Sequence, residues 1–230
     1  MKISFWFVLV FCCAVLVQAQ ERVMEKAEFD TIVNGGFDHK SKWKGEKYRM
    51  TVVTSSTVTG RPQTDFSSKT ITEFSPSLET RTINTSTFGG KPNPQREILR
   101  IGEWVYTRSG NDAWTRKEYV PSNTAGPEKE QIPRKVLSSE AEHRFLGQGM
   151  LGNRPVQMYV KTERRTTLNE KNGETTESES KSAYWVDAKG TILKHEYKSD
   201  NRGKITSQTY VLLEYELDPS ITITAPEIIP

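Results

Sequence analysis

The fold is decided by three runs, HRFLGQGMLGNRPVQMYVKTERRTTL (143–168), ESKSAYWVDAKGTILKHEY (179–197) and KITSQTYVLLEYEL (204–217). Polar and apolar residues alternate along each run, which is typical of strands with one buried face. Glycine tolerates the positive φ that hairpin turns require. Glycine-containing turns separate the alternating stretches at Gly152-Asn153, Lys171-Asn172-Gly173, Ala188-Lys189-Gly190 and Asn201-Arg202-Gly203. The region predicts an antiparallel meander of long strands, ending with a further strand at ITIT (221–224).

The N-terminus has the pattern of a secretory signal. Met1-Lys2 is followed by the apolar run ISFWFVLVFCCAVLV, and Val17-Gln18-Ala19 fits the small-residue cleavage pattern. The apolar run, about 15 residues, is short for a membrane span. The sequence therefore predicts a signal peptide over 1–19 and a single exported domain over 20–230. We expect a periplasmic or secreted protein that is not an integral membrane protein.

Cysteine content and charge exclude several classes of site. Both cysteines, Cys12 and Cys13, lie in the predicted leader, so the exported chain has no thiol for a disulfide, a zinc site or a nucleophile. Val10-Phe11 before Cys12 lacks the small residues of a lipoprotein motif. Loss of Lys2 changes the count from 32 cationic and 29 anionic residues to 31 and 29, a net charge of +2. A nearly neutral chain gives no reason to expect a nucleic-acid partner.

One helix is predicted before the first long strand. In ERVMEKAEFDTIVN (21–34), Val23, Ala27 and Ile32-Val33 recur near helical spacing, and Gly35-Gly36 is a stop signal. The helix either covers one face of the sheet or acts as a lid over a pocket, and the sequence does not separate these interpretations. The polar stretch that follows, FDHKSKWKGEK (37–47), is predicted to be a connector.

Further strands are predicted at 48–60, 65–74 and 78–88, where Ser and Thr are abundant and suit a solvated outer face. Strands are also predicted across QREILRIGEWVYTRSGNDAWTRKEY (95–119), where Trp104, Tyr106 and Trp114 form either ordinary core or a ligand-facing wall. The Pro- and charge-rich stretch 121–133 is predicted to be a loop, and 134–142 a short helical turn.

No residue pattern indicates catalysis. Gly147 to Gly152 matches G-x-G-x-x-G, but a strand follows it instead of the helix that phosphate binding needs. The histidines, His39, His143 and His195, share no metal-ligand spacing, and neither H-E-x-x-H nor G-x-S-x-G occurs. His195 alternates with Leu193 and Tyr197, which favours a hydrogen-bonded strand histidine facing the interior. The sequence therefore predicts a protein that is not an enzyme and has no metal or cofactor.

Four stretches carry a family resemblance: REILRIGEWVYTRSGNDAW (96–114), FLGQGMLGNRPVQMYV (145–160), YWVDAKGTILKHEY (184–197) and YELDPSITITAP (215–226). In this order they resemble the LolA/LolB-like and mycobacterial LppX/LprG-like carriers of lipoproteins and lipids, over most of 45–226. The resemblance implies a mainly β (α+β) fold, in which a strongly curved antiparallel sheet forms an unclosed half-barrel capped by one or more short helices. It also implies a cavity for acyl chains. The thin helical content departs from the family pattern and suggests an incomplete lid.

The function expected from this resemblance is that of an exported soluble carrier, which holds a lipid or acyl-bearing ligand such as lipoprotein acyl chains. A sheet face left uncovered would expose an apolar patch that a soluble protein avoids unless a ligand or partner occupies it. The alternative is a non-enzymatic envelope structural or protein-interaction domain with a filled core. An envelope protein is a possible partner in either case. Strand alternation gives these candidate ligand-binding residues: Met50, Val52, Phe66, Phe74, Trp104, Tyr106, Trp114, Phe145, Met158, Val160, Leu193, Tyr197, Val211 and Leu213.

Overall fold

The computed structural model describes residues 21–120 and 134–228, so the predicted signal peptide and the predicted loop at 121–133 lie outside the described residues. The described chain forms one 13-stranded sheet and two short α-helices. Their bounds are β1 Arg22–Val23, α1 Lys26–Gly36, α2 His39–Lys42, β2 Tyr48–Val58, β3 Phe66–Phe74, β4 Thr80–Phe88, β5 Lys91–Pro92, β6 Arg96–Ile101, β7 Trp104–Ser109, β8 Thr115–Glu118, β9 Arg134–Leu151, β10 Arg154–Asn169, β11 Thr175–Val186, β12 Ile192–Arg202 and β13 Ser207–Leu217.

The sheet is antiparallel and does not close. Its strand order is β1-β9-β10-β11-β12-β13-β2-β3-β4-β6-β7-β8, with β5 paired to β4 outside this path. The pairing of β13 with β2 joins a C-terminal meander to an N-terminal one. The predicted fold class is confirmed, because the curved sheet forms an unclosed half-barrel capped by two short helices. Within the described ranges, no helix is long and apolar enough to cross a membrane.

The predicted meander is confirmed at three of its turns. Gly152, Gly173 and Gly190 have φ of +58°, +71° and +72°, and each follows the strand that the alternation predicted. The fourth turn lies later than predicted, because Asn201 and Arg202 still belong to β12. The strand predicted at 221–224 is wrong. Asp218 accepts hydrogen bonds from the backbone and hydroxyl of Ser220, which turns the chain out of the sheet.

The helical turn predicted at 134–142 is also wrong, since these residues form the first half of β9. They pair with β10 from Arg134 opposite Asn169 to Glu142 opposite Thr162. Residues 134–142 are exposed on both faces of the sheet. Because neither face is buried, the sequence carries no apolar alternation that could have indicated a strand.

The helical region differs from its prediction at both ends. Residues Arg22 and Val23 pair with β9, so α1 begins at Lys26. Gly36 belongs to α1, and a Cβ added there would lie 2.5 Å from the Ile192 side chain, so this glycine permits close packing on the sheet. The predicted connector contains α2, whose N-terminus is capped by the Asp38 carboxylate accepting from the Ser41 amide at 3.2 Å.

Two apolar clusters hold the helices on the sheet. The first joins Met24, Phe29 and Val33 to buried side chains of the sheet, which are Tyr159, Tyr184, Val186 and Ile192. The second consists of Trp43, Tyr48, Val156 and Leu193, with half-buried residues around it. The core therefore sits near one end of β10–β13 and β2. In the described chain, both α-helices pack at this end, away from the rest of the sheet surface on the helical side.

Candidate ligand-binding face

The two faces of the sheet can be told apart through the helices. Phe29 of α1 contacts the Tyr184 ring at 5.7 Å, and His39 of α2 stacks on Tyr215 at 3.5 Å. Directly opposed residues of antiparallel strands project from the same face, and successive residues alternate. The register therefore assigns every paired residue either to the helix-side face, which carries Tyr184 and Tyr215, or to the outer face.

Charge is completely segregated across six neighbouring strands, β11, β12, β13, β2, β3 and β4. Their outer-face residues include many charged side chains, for example Arg49, Glu73, Lys198 and Glu214. Their helix-side residues include no Lys, Arg, Asp or Glu. Charges return to the helix-side face only on flanking strands, as Lys161 on β10 illustrates. This part of the face is a broad uncharged surface. A charged ligand group bound here would have no side chain of opposite charge beside it, whereas an uncharged group needs none.

Apolar side chains meet at the centre of this uncharged surface. Val52 lies opposite Leu213, and Val211 lies opposite Tyr197, while Met50 is two residues from Val52 on the same strand. We call these five residues the central strip. All of them were predicted from the sequence to bind ligand, and all of them are half-buried. The structure thus brings five of the fourteen candidates into one continuous patch.

A row of hydroxyl groups runs beside the central strip. Ser180 lies opposite Ser199, Ser199 opposite Thr209, and Thr209 opposite Ser56. We call these four residues the hydroxyl ladder. Its members make no side-chain hydrogen bond to any residue of the described ranges. The Ser and Thr residues of β2 and β3 had been expected on a solvated outer face. About half of them lie on the helix side instead, because the charged residues of these strands project from the outer face.

The other nine candidates are dispersed. Phe74 and Phe145 lie on the helix-side face beside the two apolar clusters, and Phe66 lies at the far end of β3 on that face. Leu193 is buried at a β-bulge between β11 and β12. The remaining five cannot share this surface. Trp104, Tyr106, Met158 and Val160 project from the outer face, and Trp114 precedes β8 with the Arg108 guanidinium over its ring.

The helical cap packs on aromatic and histidine rings. His195 stacks on Tyr184 with ring centroids 4.5 Å apart and meets the edge of Phe37 at 5.8 Å. His143 contacts Phe29 at 4.7 Å. In the part of the chain that the structure describes, Nε2 of both histidines is buried without a hydrogen-bond partner. The hydrogen-bonded state expected for His195 is therefore wrong for this nitrogen.

His39 anchors α2 in a different way. Its Nδ1 faces the carbonyl oxygen of Phe37 at 3.0 Å, and its Nε2 faces the carbonyl oxygen of Ile192. Because a neutral imidazole has one N–H, it donates to one carbonyl at a time. Lys42 adds a hydrogen bond to the carbonyl of Gly190. The α2 segment is thus tied to the turn between β11 and β12.

Stability should fall as the solution is acidified through the range in which histidine titrates. Burial lowers the pKa of His195. The pKa of His143 is lowered mainly by burial and, to a smaller extent, by repulsion from Lys161. The unfolded chain therefore binds protons below about pH 6.5 that the folded chain does not bind, which favours unfolding. We expect the melting temperature to decrease between about pH 8 and pH 5.5, and to decrease less in His195→Phe. An equal decrease in both proteins would contradict this.

Two cavities outside the central strip differ in character. One of about 180 Å³ lies beside α2 and is lined by Trp43, Tyr48, Phe74 and Leu78 among others. A larger one, about 400 Å³, lies at the far ends of β9–β12 and is lined mainly by charged residues such as Arg164 and Glu177. The first suits an apolar group at the edge of the helical cap, and the second does not. Over residues 21–120 and 134–228 there is no cluster of three potential metal ligands.

Sequence reasoning missed the hydroxyl ladder and α2. A signal for the ladder exists in ESESKS (177–182), where serine alternates with charged residues. Such a strand has one charged face and one face that is polar but uncharged. The α2 helix has four residues, too few for apolar periodicity, and its one indication is the capping residue Asp38.

Comparison with known proteins gives little further information. No protein-family model matches the sequence, and no curated protein matches it. Among solved structures, the chain is similar to a LolA superfamily protein from Nitrosomonas europaea, at 8% identity over 81% of this chain and 90% of that chain, with a TM-score of 0.27. A likeness at that TM-score carries no argument, and the resemblance to LppX/LprG-like proteins stays a prediction.

Proposed function

We propose that this protein is an exported, non-enzymatic carrier that binds a lipid or acyl-bearing ligand on its helix-side face. The observation that supports the proposal is the central strip, Met50, Val52, Tyr197, Val211 and Leu213, at the middle of a surface without charged side chains. The role of these residues as ligand contacts is part of the proposal. Export rests on the leader predicted over 1–19.

The physical case is the transfer of apolar surface out of water. The central strip is half-buried, so each side chain keeps part of its surface available for contact. Binding of an acyl chain along the strip would be favoured by about 0.8 kcal/mol for each CH₂ group, of the ligand or of the protein, that is removed from water. A buried charge without a partner would cancel several such contacts. The absence of Lys, Arg, Asp and Glu from this surface therefore favours an acyl chain over a peptide or nucleotide.

The helices fit the role of a partial cap. Phe37 and His195 meet where α1 ends, and His39 fixes α2 above Tyr215. Among the described residues, both helices pack at one end of the helix-side face, away from Val52 and Val211. A ligand could enter over these two residues without any large movement of the sheet. A periplasmic or secreted carrier would deliver its ligand to an envelope protein, which is the partner that the proposal implies.

The proposal is tested by direct binding of acyl probes. A pyrene-labelled fatty acid and its methyl ester are titrated into the exported chain and into two adjacent variants, Leu213→Glu on the helix-side face and Leu212→Glu on the outer face. We expect binding of at least one probe to weaken by about tenfold or more in Leu213→Glu, because a carboxylate would be buried against the acyl chain. Leu212→Glu should bind as the unchanged protein does.

Two outcomes would overturn the proposal. One is a folded protein that binds neither probe, which would favour the envelope interaction domain with a filled core. The other is an equal loss of binding in both variants, which would show that the helix-side face is not the site. Denaturation curves of both variants establish that each is folded before its binding is compared. Lipid released by gentle extraction of protein purified from its native host would be independent support.

A further inference from the structure

We infer that the ligand carries an uncharged polar group with hydroxyl or ester oxygens, that the hydroxyl ladder holds this group, and that lipids with anionic headgroups are disfavoured. The inference rests on the proposed function, since the ladder, Ser180, Ser199, Thr209 and Ser56, adjoins the central strip. It concerns the class of lipid, which the acyl chain alone does not determine.

The ladder lies at a suitable place for a headgroup. Thr209 is two residues from Val211 on β13, and Ser199 is two residues from Tyr197 on β12, so ladder and strip form neighbouring rows of one face. Adjacent strands are about 4.8 Å apart, so four hydroxyls on successive strands span about 14 Å across the sheet. A headgroup on the ladder would have its acyl chain directed along the adjoining strip, toward the helical cap.

The ladder has free hydrogen-bonding capacity. Each hydroxyl can donate one hydrogen bond and accept others, and none of the four is engaged through its side chain by a described residue. Ser199 is 7% exposed as a residue, but its hydroxyl is not one of the buried polar atoms that lack a partner, so the oxygen stays accessible. A hydroxyl or ester oxygen of a ligand could therefore form a hydrogen bond with it in place of water.

The surroundings of the ladder do not suit an anion. Lys198 and Asp200 flank Ser199 in sequence, but both project from the outer face. On β10, where charges return to the helix side, Lys161 and Arg165 are each paired with Glu163 at 2.8 Å. A phosphate on the ladder would therefore lose its hydration without gaining an unpaired cation. The uncharged surface thus selects against phospholipids as well as providing room for acyl chains.

The test compares lipids that share their acyl chains and differ in their headgroups. Dioleoylglycerol, monogalactosyl-dioleoylglycerol and dioleoylphosphatidylglycerol, each in the same nonionic detergent, compete with the bound pyrene-labelled methyl ester. We expect at least one neutral lipid to compete at concentrations about tenfold lower than phosphatidylglycerol, and the first two lipids to distinguish ester from sugar recognition. Equal or better competition by phosphatidylglycerol would overturn the inference while leaving the proposed function intact. Failure of the pyrene ester and the pyrene acid to bind would instead overturn the proposed function.

Variants of the ladder connect the headgroup preference to these residues. We expect Ser56→Ala combined with Thr209→Val to reduce the preference for the neutral lipid to about threefold or less, because the neutral headgroup loses two of its hydroxyl partners. Ser55→Ala, one residue away on the outer face, is the matched control and should keep the preference. Thr209→Lys should raise the affinity for phosphatidylglycerol relative to the neutral lipids. An unchanged preference in both the double variant and Thr209→Lys, or a preference lost equally in Ser55→Ala, would contradict the role of the ladder.

Discussion

Phe29→Ala is expected to lower the free energy of unfolding by about 3–5 kcal/mol, the range found when a buried phenylalanine is truncated in a packed core. Phe29 is 2% exposed and is the point at which α1 meets the sheet. Its ring contacts His143 at 4.7 Å and Tyr184 at 5.7 Å, on two different strands. Truncation would leave a cavity that the paired strands below cannot close, because their spacing is fixed by backbone hydrogen bonds.

The measurement is urea denaturation followed by tryptophan fluorescence, with Phe88→Ala as the control. Phe88 lies on the same face at the end of β4 and is 54% exposed, so the same substitution there should change stability by less than about 0.5 kcal/mol. Similar losses in the two variants would show that α1 is not held by Phe29. A loss below about 1 kcal/mol in Phe29→Ala would contradict the packing of the cap described above.

The sheet could be predicted from the sequence wherever one face of a strand is buried and the other is not. On β11, Tyr184 and Val186 are buried while Ala183 and Trp185, which alternate with them, are half-buried, and the turn at Gly190 marks the end of that strand. The first half of β9 lacks such a contrast because both of its faces are exposed. The α2 helix shows no contrast between a buried and an exposed face in its sequence, because its four residues span little more than one turn.

The choice of face could not be predicted residue by residue, since a displacement of one position reverses every side chain of a strand. Three register shifts add to the difficulty of predicting the face, because the alternation is displaced by one position at each of them. The residues left without an opposed residue are Leu137, Leu146 and Leu193. The sequence has no marker for these bulges. Charge was the usable indicator on β2, β3 and β11–β13, where it agrees with the predicted placement of the central strip. It also applies on β7, because Arg108 alternates with Tyr106 and marks their shared face as the outer one, where a buried carboxylate lies opposite Arg108.

That carboxylate, Glu97 on β6, is the second residue whose replacement should have a large effect. It is 4% exposed, and its two oxygens accept hydrogen bonds from Arg81 Nε and Arg108 Nη2, both at 2.6 Å. Burial opposes its ionisation, but the hydrogen bonds from Arg108 and Arg81 outweigh burial and hold the pKa of Glu97 below its ordinary value. The three side chains tie β4, β6 and β7 together near the open edge of the sheet.

Glu97→Gln is expected to lower the free energy of unfolding by about 2–3 kcal/mol at neutral pH, because the amide NH₂ would face a guanidinium donor and both arginines would lose their counter-charge. The value is below that of a fully buried pair because Arg81 and Arg108 are each more than one-third exposed and can rehydrate. Glu179→Gln, which breaks an exposed pair with Arg164, is the matched control and should cost less than about 1 kcal/mol.

The pH dependence of this difference identifies its origin. Because the pKa of Glu97 is lower in the folded chain, its ionised form contributes stability that is complete above the unfolded-state pKa of about 4.3 and is lost as the pH falls through the folded-state pKa. The difference between the unchanged protein and Glu97→Gln should therefore be constant from about pH 7 to pH 5 and shrink below about pH 4. A difference that persists undiminished in acid would show that shape, and not charge, makes Glu97 necessary to this edge of the sheet.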